Sequence, residues 1–451
     1  MNDRNTALIV TGATISVALS ALDVSITTIA TPTIIKTLHG SLSQVSWVFL
    51  AYLGAALLAL PWSGIFADRI PSHRVLSIGL LTFGVGSIGC AVAASMPIFL
   101  MFRVIQGVGG GCLMALPIII VGKFFKPSER ARWQGVLAAG YGIATLVGPP
   151  LGGFVTATAG WPFIFVLNIP FVFMALLMLN RIHLPFRPTT SEGQWVNILL
   201  FNAVIGLVLV AIYEWTIRYG LAEIILALGC ALIFIRQARD GHSMLWPTGV
   251  TQNVVIVSLG VMVLMAAGIE SGAIYAPIIF QHVFHVTPVV TGLLLIPMSL
   301  ISILASLWSG KIMSKTGIYR RLLLWAEVNM GLGFGLVMVG LQFHTLTIVL
   351  LSTVVFGLGL GLQQPIIAVV VQAVTPKESL GAISSLLPLL WNVGAWVGLL
   401  LTTIEFRVFP ESLSWTVVYG VALLMIVIAA WISLRLPPRR LQEFQGLGVS
   451  E

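Results

Sequence analysis

Long apolar stretches separated by short polar loops make up almost the whole chain. Most are about 20 residues or longer, which is the length a helix needs to cross the ~30 Å hydrocarbon core of a bilayer. We count fourteen, at 6–35, 44–66, 75–94, 98–122, 133–157, 162–180, 196–213, 219–235, 254–280, 289–308, 322–341, 345–371, 380–403 and 415–434. The pattern predicts an all-α integral membrane protein with fourteen transmembrane helices.

The composition agrees with this prediction and excludes a soluble protein. Apolar residues make up 58% of the 451 positions and charged residues only 8%, against about 25% charged in soluble domains. The formal net charge of +8 does not indicate nucleic-acid binding, because the basic residues lie in short loops between apolar stretches. The three cysteines lie inside apolar stretches and show neither metal-ligand spacing nor a disulfide framework.

Lys and Arg are distributed unevenly between alternate loops. One side of the membrane would hold 19 of the 23 and the other side 3, with Arg103 inside a span. Cytoplasmic loops carry the excess of basic residues. We therefore expect both termini in the cytoplasm, an even number of spans, and a multi-pass protein of the cytoplasmic (inner) membrane of a bacterium.

One sequence element occurs twice. The segments 63–76, after the second span, and 309–322, after the tenth, both place Gly and Arg ten residues apart. This repeat predicts two six-helix halves, at 1–188 and 241–451, separated by a two-helix insert at 189–240. The second half would end in a short cytoplasmic tail. Internally repeated halves are common in transporters, with the substrate site at their interface.

Six short motifs follow one another on successive spans and loops. They are 21–27 around Asp23, the pair Trp47 and Tyr52, the loop Gly64…Asp68-Arg69…Arg74, the stretch Arg103-Val-Ile-Gln106-Gly107, the stretch Gly148-Pro149-Pro150-Leu-Gly152-Gly153, and Trp161 with Asn168-Ile-Pro170. Together they resemble the fourteen-span drug:proton antiporter branch of the major facilitator superfamily. Pro71 stands where that branch usually has Gly. Since Pro cannot adopt the left-handed conformation, we expect a different turn there.

Acidic side chains inside a span are functional candidates, because a carboxylate in hydrocarbon is costly. Asp23 lies about 24 Å along the first span and Arg103 about 22 Å from the same side in the fourth. The matching depths predict a charge pair. Since Arg stays protonated, Asp23 would carry the exchangeable proton. The alternative is a permanent ion pair that only fixes helix packing.

Two further acids lie inside predicted spans of the second half. Glu270, in the ninth span, lies at nearly the depth of Asp23, about 24 Å from the cytoplasmic end. It is a candidate for proton coupling or for attracting a cationic group, with close helix packing among small neighbours as the alternative. Glu327 lies five residues into its span, where its side chain would reach the membrane interface.

Each of the remaining candidates has a structural alternative. The resemblance implies a conformational latch, for which a solvated loop charge is the alternative, at Gly64, Asp68, Arg69 and Arg74. It implies an antiporter motif, for which tight packing and a kink are the alternative, at Gly148, Pro149, Gly152 and Gly153. Aromatic and polar residues deep in spans suit a cavity for amphipathic ligands, with ordinary packing as the alternative: Trp47, Tyr52, Gln363, Gln364, Trp391 and Asn392.

The sequence contains no P-loop, nucleophile elbow or metal-ligand spacing. We therefore expect no enzyme and no cofactor, with a proton gradient as the energy source. The residues and the resemblance together predict a monomeric proton-coupled antiporter that exports amphipathic, cationic small molecules such as drugs by alternating access. Its partners would be the substrate, protons and the lipid bilayer. The alternatives are a dedicated exporter of one metabolite, siderophore or lipid, and a membrane sensor or scaffold without transport.

Overall fold

The computed structural model describes residues 3–41, 43–125, 127–181, 195–214, 253–375, 380–409 and 411–438. Within these residues the chain is helical and contains no strand. Twelve segments of this described part are long and apolar enough to cross a membrane. The chain divides into two compact units, Met1–Trp246 and Pro247–Glu451.

The described helices of the first unit are α1 (Asp3–Thr37), α2 (Ser43–Arg69), α3 (Ser72–Ala91), α4 (Met96–Phe124), α5 (Pro127–Thr158), α6 (Pro162–Val166), α7 (Asn168–Leu179) and α8 (Trp195–Glu214). α1 packs against α5 and α7, and α4 packs against α2 and α3. α6 and α7 form one span that breaks at Leu167. The break follows from Pro170, which has no N–H to donate to the carbonyl of Val166.

The described elements of the second unit are α9 (Asn253–Ala273), α10 (Ala276–Ile278), a π-helical turn (Ile279–Val283), α11 (Pro288–Leu294), α12 (Ile296–Thr316), α13 (Arg320–Gln342), α14 (Leu346–Val374), α15 (Leu380–Val408) and α16 (Glu411–Ser433). α14 packs against α12 and α13, while α9 packs against α15 and α16. The ninth apolar stretch is one predicted helix, but α9 ends at Ala273 and a short irregular segment follows it. Pro277, within that segment, cannot donate a backbone hydrogen bond.

Twelve of the fourteen predicted spans coincide with the twelve candidate spans of the described residues. The seventh stretch, 196–213, forms α8, whose described apolar part, Ile198–Leu207, is shorter than a membrane span. The eighth, 219–235, lies outside the described residues. The all-helical membrane architecture is confirmed. The count of fourteen, the two-helix insert and the position of the termini stay predictions.

Glycines allow α4 to approach α2 backbone to backbone. A Cβ atom at Gly107 would overlap the carbonyl oxygen of Tyr52, and one at Gly111 would overlap that of Ala56. Small residues at such an interface replace side-chain contacts with close backbone packing, which is typical of membrane helices. The close packing of α4 against α2 therefore requires glycine, which has no side chain, at both positions.

The second unit uses the same arrangement between α14 and α12. A Cβ at Gly357 would meet the carbonyl oxygen of Met298, and one at Gly361 would overlap that of Ser302. In both units the two glycines are four residues apart, and so are the two carbonyls they face. The internal repeat thus extends from the sequence of a loop to the packing of the helix before that loop, α2 or α12, against the second helix after it, α4 or α14.

The two repeated loops differ in one turn. Pro71 lies seven residues after Gly64 and immediately before α3, with φ of −51°. Gly317, seven residues after Gly310, ends α12 in the left-handed conformation with φ of 68°. The ring of Pro fixes φ near −65°. The expected departure from a glycine turn is therefore present in the first loop, while the second loop retains such a turn.

We predict that Gly107→Ala lowers the thermal unfolding temperature, because its Cβ would push α4 away from the Tyr52 carbonyl. Gly122→Ala in the same helix is the matched control, since nothing lies within 4 Å of an added Cβ there. Ala is favoured over Gly in a helix by about 1 kcal/mol, so the control should be unchanged or more stable. Tryptophan fluorescence of the purified protein during heating measures both. Equal unfolding temperatures would contradict the close approach.

Candidate functional site

Asp23 and Arg103 form a buried ion pair. Asp23 on α1 is 3% exposed and Arg103 on α4 is fully buried. Nη1 of Arg103 donates to Oδ2 of Asp23 at 2.7 Å. The contact predicted from their matching depths is thus present. Each charge offsets the cost of burying the other.

Two amide side chains complete the hydrogen bonding of Asp23. Its Oδ1 accepts from Nε2 of Gln106 at 2.7 Å and from Nδ2 of Asn168 at 2.9 Å. Together with Arg103, the carboxylate faces three donors, an arrangement that suits its ionised form. Gln106 lies one turn after Arg103 on α4, and Asn168 is the first residue of α7. Both stand in motifs quoted above, but sequence reasoning gave neither a role.

Ser87 joins α3 to the same group of side chains. Its Oγ accepts from Nε2 of Gln106 at 2.9 Å and from Nδ2 of Asn168 at 3.3 Å. Oε1 of Gln106 accepts from Nη1 of Arg103 at 2.6 Å. The four polar partners and Asp23 form what we call the Asp23 network, which links α1, α3, α4 and α7.

Arg103 has contacts besides the carboxylate. Its Nε donates to the carbonyl oxygen of Val48 at 3.2 Å, and its guanidinium carbon lies 4.4 Å from the centre of the Tyr52 ring. The Tyr52 hydroxyl is hydrogen bonded to Ser20 at 2.9 Å. Tyr52, a candidate for a cavity wall, is 1% exposed. The structure therefore assigns it to the support of Arg103, and through it α2 joins the network.

The glycines of the fifth-span motif pack α5 onto α1 beside Asp23. An added Cβ at Gly148 would press on the Ser25 side chain, and one at Gly152 would lie 3.0 Å from the Ile26 backbone. These contacts lie two and three residues after Asp23. The other motif positions are also buried, at Pro149 and Gly153. The motif thus determines how closely α5 approaches the Asp23 network.

Asp68 of the signature loop has its described partner within the first unit. Nζ of Lys123, at the end of α4, donates to Oδ1 of Asp68 at 2.6 Å and to the carbonyl of Ala67 at 2.8 Å. The side chain of Asp68 is 24% exposed and that of Lys123 is 37% exposed. The pair joins the ends of α2 and α4, and a latch to the other half stays a prediction. The remaining loop candidates are the half-buried Gly64 and the exposed Arg69 and Arg74.

The acids of the second unit are held differently. Glu270 on α9 is partly exposed and has no hydrogen bond or ion pair to any described residue. Glu327 on α13 is 1% exposed and accepts from Oγ of Ser433 at 2.6 Å. The expectation that Glu327 reaches the interface is wrong, because the end of α16 covers it. Sequence reasoning missed Glu405, because the predicted span ended at 403 whereas α15 continues to Val408. The Glu405 side chain is buried, with 6% exposure.

The other cavity candidates differ in burial. Trp47 on α2 and Trp391 on α15 are half-buried, whereas Gln363 on α14 is 1% exposed. Nδ2 of Asn392 donates to the carbonyl oxygen of Pro388 in its own helix at 2.8 Å. The side chain of Gln364 lies outside the described part of the chain. The burial of Gln363 favours its packing alternative in this conformation.

The cysteines and the acidic and histidine side chains of the described residues do not gather into a metal site. No cluster of three or more His, Cys, Asp or Glu side chains there could hold an ion. Cys90 and Cys112 are free thiols, and Cys230 lies outside the described residues.

We predict that Arg103→Ala is strongly destabilising, because it leaves the Asp23 carboxylate buried without its counter-charge. Breaking one partner of a buried pair costs about 3–5 kcal/mol. Lys123→Ala, which breaks the partly exposed pair with Asp68, should cost less than about 1 kcal/mol. The double variant Asp23→Asn/Arg103→Ala should recover part of the loss, since it buries no charge at this site. Thermal unfolding in detergent ranks the three. A double variant no more stable than Arg103→Ala would contradict this explanation.

Comparisons with known proteins agree with this architecture. Multidrug transporter protein MdtP of Bacillus subtilis (strain 168) is 30% identical over 402 residues, which cover 87% of this chain and 74% of that protein. Multidrug efflux pump SdrM of Staphylococcus aureus (strain N315) is 27% identical over 428 residues, which cover 92% and 94%.

A solved D-xylose-proton symporter has a similar fold. It superposes with a TM-score of 0.69 at 14% identity and covers 96% of this chain and 98% of its own. At that identity the likeness concerns the fold alone. The family model described as Major Facilitator Superfamily matches residues 13–399, which is most of the chain. The chain therefore belongs to the Major Facilitator Superfamily, whose members are membrane transporters and not enzymes.

Proposed function

We propose that the chain is a proton-coupled exporter of amphipathic, cationic small molecules such as drugs. The observation that carries the proposal is the Asp23 network, in which a buried carboxylate is held by a fixed cation and two amides. Ionisable groups inside a membrane protein mark ion pathways and proton relays. The names of the relatives, a multidrug transporter and a multidrug efflux pump, support a drug as the substrate.

Protonation of Asp23 would change the net charge of the network from zero to plus one. The proton comes from water and binds a carboxylate oxygen, while Arg103 keeps its contacts with Val48, Gln106 and Tyr52. Because α1, α2, α3, α4 and α7 all contribute to the network, the loss of an ionic contact alters the packing of five helices together. The protonated and ionised forms would thus favour different conformations, and the proton gradient would drive exchange of proton for substrate. No cofactor takes part.

The second unit would provide attraction for a cationic substrate. Glu270 lacks a partner among the described residues and is partly exposed, so its carboxylate is available to a ligand. A cation that enters a low-dielectric region gains more from a carboxylate there than in water. We propose that the transporter works as a monomer in the cytoplasmic membrane, with both termini in the cytoplasm.

We predict that Asp23→Asn abolishes uphill, proton-driven transport and leaves a folded protein, because an amide cannot exchange a proton. The test uses proteoliposomes with an imposed pH gradient, in which substrate and proton fluxes are recorded together. Glu327→Gln is the matched control, since it neutralises a buried carboxyl of the other unit and should keep coupled flux. Uphill transport by Asp23→Asn would refute the assignment of the proton to Asp23. Loss of coupling in Glu327→Gln, with coupling kept in Asp23→Asn, would show that the proton binds in the second unit instead.

We predict that Glu270→Gln weakens transport of cationic compounds about tenfold or more and leaves neutral ones nearly unchanged, which corresponds to a loss of at least ~1.4 kcal/mol of attraction. Growth inhibition with paired charged and neutral analogues provides the first measurement, and direct binding to purified protein the second. Equal loss for both kinds of compound would indicate a packing or coupling role. No loss for either would leave Glu270 without a part in substrate recognition.

A further inference from the structure

Asn168 uses only one side of its amide. Its Nδ2 donates to Oδ1 of Asp23 at 2.9 Å and lies 3.3 Å from Oγ of Ser87. Its Oδ1 is buried and has no hydrogen-bond partner among the described residues. An unsatisfied buried acceptor costs about 1–3 kcal/mol. Such an orphan atom beside a titratable carboxyl group is unusual, because buried polar atoms are normally paired.

Gln106, the other amide on Asp23, has a fixed orientation. The atom 2.6 Å from Nη1 of Arg103 must be its oxygen, because Arg has donors and no acceptor. The amide nitrogen then faces Oδ1 of Asp23 at 2.7 Å and Oγ of Ser87 at 2.9 Å. Turning this amide would set its N–H groups against the guanidinium. Gln106 can therefore only donate to Asp23.

A protonated Asp23 needs an acceptor for its O–H group. A proton on Oδ2 would point at Nη1 of Arg103, and a proton on Oδ1 would point at the amide nitrogens of Gln106 and Asn168. All three are donors, so the observed arrangement leaves the proton without a hydrogen bond. Two of the three partners are amides. The oxygen of Gln106 is held by Arg103, whereas the oxygen of Asn168 has no hydrogen-bond partner among the described residues, so the Asn168 amide can turn. Half a rotation exchanges its nitrogen and oxygen and places the orphan carbonyl oxygen beside Oδ1.

We propose that Asn168 is a proton-responsive positioning residue, whose amide donates to the ionised Asp23 carboxylate and, when turned, accepts from the carboxylic acid. A proton from water forms an O–H bond at Oδ1 and leaves again to water, and no other covalent bond changes. After the turn, the Asn168 oxygen also lies within reach of the Ser87 hydroxyl, which can donate to it. This inference rests on the proposed coupling role of Asp23 and adds the residue that recognises its protonation state.

The other described groups around Asp23 do not supply this acceptor. Among the described residues, the charged or titratable side chains that interact with Asp23 or its partners are Arg103 on α4, Tyr52 on α2, Cys90 on α3 and Tyr141 on α5. The Tyr52 hydroxyl is already paired with Ser20, and the Cys90 thiol lies 3.9 Å from Oε1 of Gln106. Asn168 also begins α7 directly after the break at Leu167. A turn of its amide therefore acts at a helix junction, where Pro170 has no N–H to donate to the carbonyl of Val166.

Infrared difference spectroscopy on the full chain in liposomes, between acidic and alkaline pH, tests this inference. The carbonyl band of protonated Asp23 is identified by its loss in Asp23→Asn. In the wild type we expect this band at the lower frequency of a hydrogen-bonded acid. Asn168→Leu should shift it to the higher frequency of a free acid. Asn168→Ser, whose hydroxyl can donate or accept, should keep the bonded frequency. Asn202→Leu on α8 is the matched control and should leave the band unchanged.

A second measurement needs no variant and guards against misfolding of Asn168→Leu. With 13C-labelled asparagine, the Asn168 amide carbonyl should shift to lower frequency at acidic pH, when it gains a hydrogen bond. An Asp23 band that is the same in wild type and Asn168→Leu, or an asparagine band that does not move, would overturn the role of Asn168 alone. If no Asp23 band forms while proton-driven transport persists, the proton site lies elsewhere and the proposed role of Asp23 fails as well.

Discussion

The first unit is organised around the need to bury an ion pair in a membrane protein. Asp23 and Arg103 are both shielded from solvent, and an isolated charge there would cost several kcal/mol. That cost falls when the second carboxylate oxygen also accepts hydrogen bonds, and Gln106 and Asn168 donate them. These partners come from different helices. The helices must therefore pack closely at this level, and hydrogen atoms in place of side chains at Gly107 allow it.

The two units share a packing scheme but not this chemistry. Both bring a pair of glycines onto the carbonyls of a neighbouring helix, α4 onto α2 and α14 onto α12. Four residues before the first glycine, the first unit has Arg103 and the second has Thr353, whose hydroxyl donates to its own helix at Leu350. An arginine at that level requires a carboxylate, whereas a threonine requires nothing. Within the described residues, the two copies thus share these backbone contacts, while the charged network belongs to the first copy.

Much of this could be predicted from sequence because hydropathy determines depth. A helix rises 1.5 Å per residue, so the level of Asp23 matches that of Arg103 by counting alone. The direction in which a side chain points around its helix is not determined this way, since spans buried on several sides have no clear polar face. For that reason Tyr52 was expected at a cavity wall and lies under Arg103 instead, and Gln106 and Asn168 received no role. The signal for Asn168 was present, as an amide inside an apolar stretch two residues before Pro170.

The contacts of Arg103 explain how such a network can lose its negative charge and remain folded. The carbonyl oxygen of Val48 accepts from Nε of Arg103, and Oε1 of Gln106 accepts from Nη1. The Tyr52 ring lies against the guanidinium. None of these contacts depends on the charge of Asp23. When the carboxylate is neutralised, the arginine keeps a neutral hydrogen-bonded shell and a cation–π contact, which is worth more in a desolvated site than at a surface. In the proposed mechanism the fixed partner is thus the cation, and protonation of Asp23 would weaken the attraction between α1 and α4. The proposed proton coupling needs such an interaction, strong when Asp23 is ionised and weak when it is protonated, so that the two forms favour different conformations.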